Sequence, residues 1–314
     1  MKKILFLMFL LFLIAFSWGA EKVEKIVLTG GVEFSQKMVE NDVFFKWVQD
    51  FDVDDKYIYL ADATYKVIFK IALDSGKLER TISSKGQGPG ELAFPVNICV
   101  KNNKVFVIDK GFGGIKIFGV DGSTINEFKV SGAVGRRGIA VDEKDNIYIG
   151  NIMDNTLVSV YSLAGKRLRS LVKATVDLKD KDSIKKRIYW IKIDKQKNIY
   201  VLYFVARELE KYDNQGKMLW RAKIENDLLA EYPQSKNPGY RNIFDFHILD
   251  NNDILIAHAK GGCILDTNGK LKKVIELKTG LVHSFGFIKT VRNNLITLNL
   301  AEKNVVFFDL RRLK

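Results

Sequence analysis

Only two cysteines, four prolines and three histidines occur among 314 residues. Two cysteines cannot build a disulfide framework. Both sit in apolar runs, Ile98-Cys99-Val100 and Cys263-Ile264-Leu265, where a thiol serves as a small apolar side chain. So few prolines, with no low-complexity tract, advertise no linker between separate domains. His247, His258 and His283 belong to no His-Glu-x-x-His segment, and no Cys-x-x-Cys occurs, so a zinc centre would need ligands from distant parts of the chain. A Gly-x-Ser-x-Gly elbow is absent too. No cofactor or metal is expected, and no catalytic residue is nominated. Beyond residue 20 no apolar run is long enough to cross a bilayer.

The first twenty residues stand apart. Lys2 and Lys3 precede the apolar run Ile4 to Phe16, and Ser17-Trp18-Gly19-Ala20 follows before Glu21. A basic start, a short apolar middle and a small-residue exit predict a secretory signal peptide over 1–20, with an uncleaved anchor as the alternative. No cysteine follows the run to take a lipid. The expected product is exported, periplasmic or extracellular, and not an integral membrane protein after cleavage.

The formal net charge is +13, and loss of Lys2 and Lys3 with the leader leaves +11. Inside a cell such a balance would suggest nucleic acid. Outside it, anionic glycans, cell-wall polymers or lipid headgroups are the expected partners and nucleic acid is not. A solvated Lys-rich surface is the plain alternative.

A unit recurs through the rest of the chain: an apolar strand, a polar turn, a second strand opening with an aliphatic–bulky pair, a third strand, then a Gly turn. The pairs are Ile58-Tyr59, Val105-Phe106, Ile147-Tyr148, Ile199-Tyr200, Ile254-Leu255 and Leu295-Ile296. They recur at intervals of roughly 40 to 55 residues, the spacing of repeat architectures. Third strands end at Asp74-Ser75-Gly76, Asp121-Gly122, Ala164-Gly165, Asn214-Gln215-Gly216 and Thr267-Asn268-Gly269. A four-stranded sheet apolar on both faces cannot cover itself, and a ring of such sheets can. The prediction is an all-β chain with one domain over 21–314: a six-bladed β-propeller of four-stranded antiparallel blades, acting as a monomer. The sixth unit runs out after its third strand, so Val23 to Leu28 is expected to pair there and close the ring.

The junction Ser83-Ser84-Lys85-Gly86-Gln87-Gly88-Pro89-Gly90-Glu91-Leu92 leads from the first unit to Phe94-Pro95 in the second. It resembles the blade junction of NHL-repeat propellers, and the chain is similar to six-bladed exported bacterial propellers over most of residues 47–310. That resemblance implies a binding frame. It also leaves room for lyases or lactone-hydrolysing enzymes with a metal in the central channel, or for an envelope scaffold. The glycines themselves predict a turn rather than a phosphate cradle, because Pro89 removes an amide and a strand follows.

Asp50-Phe51-Asp52-Val53-Asp54-Asp55 mimics alternating calcium ligands, but Asp55 and Ala61 stand where an EF-hand loop needs Gly and Glu. A structural turn is expected. Three residues past each bulky second-strand position lie Asp62, Asp109, Asn151, Tyr203, His258 and Asn299. These are read as caps for turn amides, with Tyr203 and His258 as the better ligand-facing members. Before the inner strands stand Trp47, Phe94, Arg137, Arg187, Trp190, Arg241 and His283. Candidate binding residues are therefore Trp47, Arg137, Arg187, Trp190, Tyr203, Arg241, His258 and His283. Forked hydrogen bonds and ring stacking would suit an anionic or sugar-like ligand, or a peptide or protein of the cell envelope. The entries to the inner strands read as mainly aromatic, basic or apolar, which argues against a channel metal.

Overall fold

The computed structural model describes residues 24–28, 32–33, 45–131, 133–153, 156–174, 189–203, 206–224, 243–258, 261–277, 288–291, 294–299 and 304–309. Those residues are strands and their turns. An N-terminal pair, β1 (Glu24–Leu28) and β2 (Val32–Glu33), precedes the first sheet, β3 (Val48–Val53), β4 (Tyr57–Asp62), β5 (Val67–Ala72) and β6 (Leu78–Ile82). The junction holds β7 (Ser84–Lys85) and β8 (Glu91–Leu92). The second sheet is β9 (Pro95–Lys101), β10 (Lys104–Asp109), β11 (Gly114–Gly119) and β12 (Thr124–Lys129). The third is β13 (Ala133–Val141), β14 (Ile147–Met153), β15 (Thr156–Tyr161) and β16 (Arg167–Lys173). The fourth is β17 (Tyr189–Ile193), β18 (Ile199–Tyr203), β19 (Glu208–Tyr212) and β20 (Met218–Lys223). The fifth holds β21 (Ile243–Ile248), β22 (Ile254–His258), β23 (Gly261–Leu265) and β24 (Leu271–Leu277), and the last β25 (Ile288–Val291), β26 (Asn294–Asn299) and β27 (Asn304–Asp309).

Within each sheet consecutive strands pair antiparallel, and the innermost strands touch in cyclic order, β3 to β9, β13, β17, β21, β25 and back to β3. This is a multi-bladed β-propeller. The expected six four-stranded blades are corrected to five, because the sheet of β21–β24 has a fifth strand. That strand is β1, which pairs parallel with β24, Glu24 opposite Lys273 through Leu28 opposite Leu277. The expected closing strand thus lies one sheet earlier than the sequence placed it. The two-residue β2 completes the last sheet instead, Val32 opposite Phe307. Both additions cover strand edges that would otherwise stay open.

Burial falls from axis to rim, and composition follows it. Second strands are buried on both faces, as in Ile58-Tyr59-Leu60-Ala61 and Val105-Phe106-Val107-Ile108, so they read as continuous apolar runs. Outer strands alternate or are mostly exposed, as in β6 and β20. Neighbouring sheets share cores: Tyr59, Ala61 and Ile68 of the first pack with Ile98, Val105 and Val107 of the second. Outer strands also grip the next sheet. Asn126 Nδ2 donates to the Leu163 carbonyl at 2.9 Å, and Trp220 Nε1 to the Thr267 carbonyl at 2.9 Å.

The turn reading of Asp62 and Asp109 holds, and each does more than cap a turn. Asp109 accepts the amides of Ala93 and Phe94, at the entry to β9, and those of Gly111 and Phe112 in the following turn. Asp62 does the same for Lys46, Trp47, Thr64 and Tyr65. One carboxylate therefore ties the start of an inner strand to the end of the second. Asp109→Ala leaves four amides without that acceptor and should lower unfolding free energy by about 2–4 kcal/mol, read as a shift of the denaturant midpoint with an unchanged slope. A shift near zero would contradict the role given to it.

Candidate functional site

Two regions concentrate chemistry, one at the face where sheets join and one on the axis. At the junction face, Trp47 is 49% exposed and meets the ring of Phe94 edge-on, with centroids 5.6 Å apart. Lys46 stands 5.6 Å over the exposed ring of Tyr65. Lys129 and Lys116 flank Phe112 at 3.8 and 4.4 Å. The caps Asp62 and Asp109 place all of these at one end of the first two sheets. The result is a row of aromatic rings with the exposed ammonium groups of Lys46 and Lys129 beside it, while that of Lys116 is buried.

Beside it, the glycine-rich stretch is fully committed to structure. Gly88 donates its amide to Glu91 at 2.8 Å and Gly90 donates to Glu127 at 3.2 Å. Buried Lys116 ties Glu127, at 2.9 Å, to the Gly88 carbonyl, at 3.0 Å. Amides that a phosphate would need already face carboxylates. The loop is a brace, as its proline and following strand predicted.

The axis differs from expectation. Asp50 and Asp52, read as part of a turn, lie in the inner strand β3, and only Asp54 caps the turn that follows, through the amides of Lys56 and Tyr57. Strand register puts Asp52, Cys99, Ala140, Lys192, His247 and Lys289 at one level of the wall. Asp50, Asn97, Gly138, Trp190 and Asp245 stand two residues earlier on the same strands. The inner wall thus carries charge of both signs.

These charges are paired across sheets. Lys289 reaches Asp52 at 3.0 Å and Lys192 reaches Asp245 at 3.0 Å. Asp50 accepts Asn97 Nδ2 and the Ile98 amide, each at 3.1 Å, and Asp52 accepts the Val100 amide at 2.7 Å. Asp245 accepts the Ile288 amide at 3.1 Å, and His247 Nε2 meets Thr290 Oγ1 at 2.6 Å. Where the wall carries Gly138 and Ala140, the strands themselves close in. A Cβ on Gly138, whose φ is +88°, would stand 2.9 Å from the Ile191 carbonyl oxygen.

Burial sets the proton affinities here. It pushes Asp50 up to about 6 against the pull of Lys289, and nearby Asp245 adds to the rise. It lowers Lys192 despite Asp245, and keeps His247 neutral with help from Lys192 and Lys289. Lys289 is also buried, yet Asp52, Asp50 and Asp245 together hold it above the ordinary lysine value. The Cys99 thiol is pushed up to about 12 by burial and by Asp52, so it is not a nucleophile at neutral pH. Among the described residues no group of His, Cys, Asp or Glu side chains converges as metal ligands. Two lysines among three carboxylates do not fit a divalent ion.

Of the predicted binding residues, Trp47 is exposed as expected. Trp190 is 4% exposed and packs in the core with Tyr200, Leu202 and Phe246. Tyr203 is buried as well, its hydroxyl donated to the buried carboxylate of Glu210 at 2.9 Å, which also receives Tyr212 and Arg221. Both sit between sheets, because residues flanking the second strand are enclosed by the neighbouring sheet. Arg137 and His258 lie in β13 and β22, with side chains outside the description, and Arg187, Arg241 and His283 lie outside the described residues. Sequence reasoning missed Asp50, Asp52, Asp245, Lys192 and Lys289; the recurring Asp-Phe of Asp50-Phe51 and Asp245-Phe246 was the available signal.

Comparison with known proteins bears on the fold. A family model described as a domain of unknown function, DUF4221, matches residues 33–219. No curated protein matches. Among solved structures, a catalytically inactive virginiamycin B lyase from Staphylococcus aureus with quinupristin is 11% identical, covering 90% of this chain and 88% of its own, with a TM-score of 0.57. A protein of unknown function from Bacteroides caccae is 13% identical, covering 82% and 91%, with a TM-score of 0.58. A putative exported protein from Bacteroides fragilis is 10% identical, covering 90% and 98%, with a TM-score of 0.56. At such identities the likeness shows the fold alone.

The Asp50 value fixes a pH dependence. Its folded affinity for a proton exceeds the unfolded one, so this group favours the native state most below about 4 and loses that contribution as pH rises through about 6. Relative to Asp50→Asn, the wild type should lose roughly 2–3 kcal/mol of stability between pH 4 and pH 8. Parallel denaturant titrations at the two pH values check this; a constant difference, or one of opposite sign, would contradict the buried charge.

Proposed function

The chain belongs to the DUF4221 family, a domain of unknown function, so no activity comes with membership, and we propose that it is an exported, non-catalytic binding module. Its partner is an acidic or sugar-like ligand of the cell envelope, taken by the junction face. The observation that supports this most is the exposed Trp47 indole beside Phe94, set among Lys46, Tyr65, Phe112 and Lys129. Sugar rings stack on flat aromatic faces, and ammonium groups at the edges suit carboxylate or sulfate substituents. The axial charges are not offered for this task, since lysines and carboxylates there face one another across sheets.

Export rests on the basic start and apolar run of residues 1–20. No described helix is long and apolar enough to cross a membrane. The virginiamycin B lyase shares the fold at 11% identity, and its activity is its own.

Trp47→Ala combined with Lys46→Ala should weaken binding to acidic oligosaccharides on a glycan array by at least about tenfold. The melting temperature should move little, because both side chains lie exposed at the surface. Equal binding by wild type and double variant would remove the junction face from the proposal.

A further inference from the structure

The opposite face carries its own repeated feature. The third strands of the first five sheets return through tight turns, and four of these turns are followed by lysine: Gly76-Lys77, Gly165-Lys166, Gly216-Lys217 and Gly269-Lys270. All four lysines are exposed. Just beyond them stand large aliphatic side chains that nothing covers among the described residues. Leu78 is 39% exposed, Ile125 42%, Leu168 48% and Leu219 50%. Register makes Ile125, Leu168 and Leu219 equivalent, one position past the pairs Phe118–Thr124, Tyr161–Arg167 and Tyr212–Met218. In the fifth sheet the same position is Lys272.

An isolated exposed leucine needs no explanation, but a recurrence at one level on consecutive sheets does. Charge recurs with it. From Ser162 to Lys173, Asp213 to Lys223 and Asp266 to Lys273 there are ten basic side chains against two acidic ones. Those two, Asp213 and Asp266, accept the amides of their own turns at Gln215 and Lys217, and at Asn268 and Lys270. Arg221 is drawn to Glu210 and Lys272 to Asp253, so part of the positive field is answered locally. Ten against two gives the rim of the third, fourth and fifth sheets an excess of one sign in sequence.

We propose that this turn face, through Leu168, Leu219 and the lysines at 166, 217 and 270, docks on an anionic lipid surface. Aliphatic tips flanked by ammonium groups match a bilayer interface, where the tips enter the acyl boundary and the cations meet phosphates. A polysaccharide would use the cations and leave the leucines idle, since sugars stack on rings rather than on branched aliphatics. The turns of a propeller lie at one level, so several prongs reach a flat membrane together, with the junction face left outward. The inference is independent of the ligand proposed for that other face.

Co-sedimentation with vesicles tests it, using protein purified from an exporting host so that all variants share one N-terminus. Wild type should sediment with phosphatidylglycerol-rich vesicles and not with pure phosphatidylcholine. Leu168→Ser with Leu219→Ser should reduce binding at least about fivefold, and Lys166→Glu, Lys217→Glu and Lys270→Glu together on the order of a hundredfold. Circular dichroism spectra and melting temperatures should match wild type, because every altered side chain is exposed. Failure of the wild type to sediment with anionic vesicles would overturn the proposal. So would a leucine variant that binds vesicles as well as wild type, above all if heparin competes fully, which would mark a polyanion site instead.

Discussion

Lys289 crosses from the last sheet to Asp52 on the first, and the rest of the ring depends on contacts of that kind. A circle of sheets has one seam where chain ends meet, and the chain crosses it only from β2 of the last sheet into β3 of the first. The N-terminal β2 contributes only two residues to the last sheet. The inner wall therefore has to hold what the outer strand barely does. Asp52 is gripped from both sides, by Lys289 of the last sheet and by the Val100 amide of the second. A buried pair of this sort is costly when one partner is removed, since the other is left as an unanswered charge.

The wall is not uniform. The inner strands β3, β9, β13 and β17 lie close together, with the small residues Cys99, Ala140 and Gly138 where they meet, while β17, β21, β25 and β3 touch more sparsely. Long side chains span the wider side: Lys192 to Asp245, His247 to Thr290 and Lys289 to Asp52. Small residues allow backbones to approach on one side, and lysines bridge on the other. The axis is thereby used for cohesion. One face presents rings and ammonium groups around Trp47, and the other presents the lysine-leucine turns.

The fold was legible because burial on both faces of the second strand leaves an unmistakable apolar run, Val105 to Ile108 being one, and because Gly turns recur after the third strands. The caps Asp62 and Asp109 were legible too, since an aspartate at a strand end has amides within reach. The axial cluster was not. Asp50 and Asp52 alternate within an acidic run that resembles a turn, and an isolated Lys192 or Lys289 reads as surface. Only the ring brings them together, at separations no local pattern encodes. Parallel β1 escaped for a similar reason, because parallel pairing leaves no turn signature. Trp190 and Tyr203 were taken for the rim because an aromatic beside a strand end is equally suited to the space between sheets.

The central claim is that the axial ion pair joins first and last sheets. A double-mutant cycle on Asp52→Asn and Lys289→Met, followed by equilibrium unfolding, measures it directly. The account predicts a coupling of at least about 1 kcal/mol, with each single change costing more than the pair together. Additivity within about 0.5 kcal/mol would show that the seam is held elsewhere.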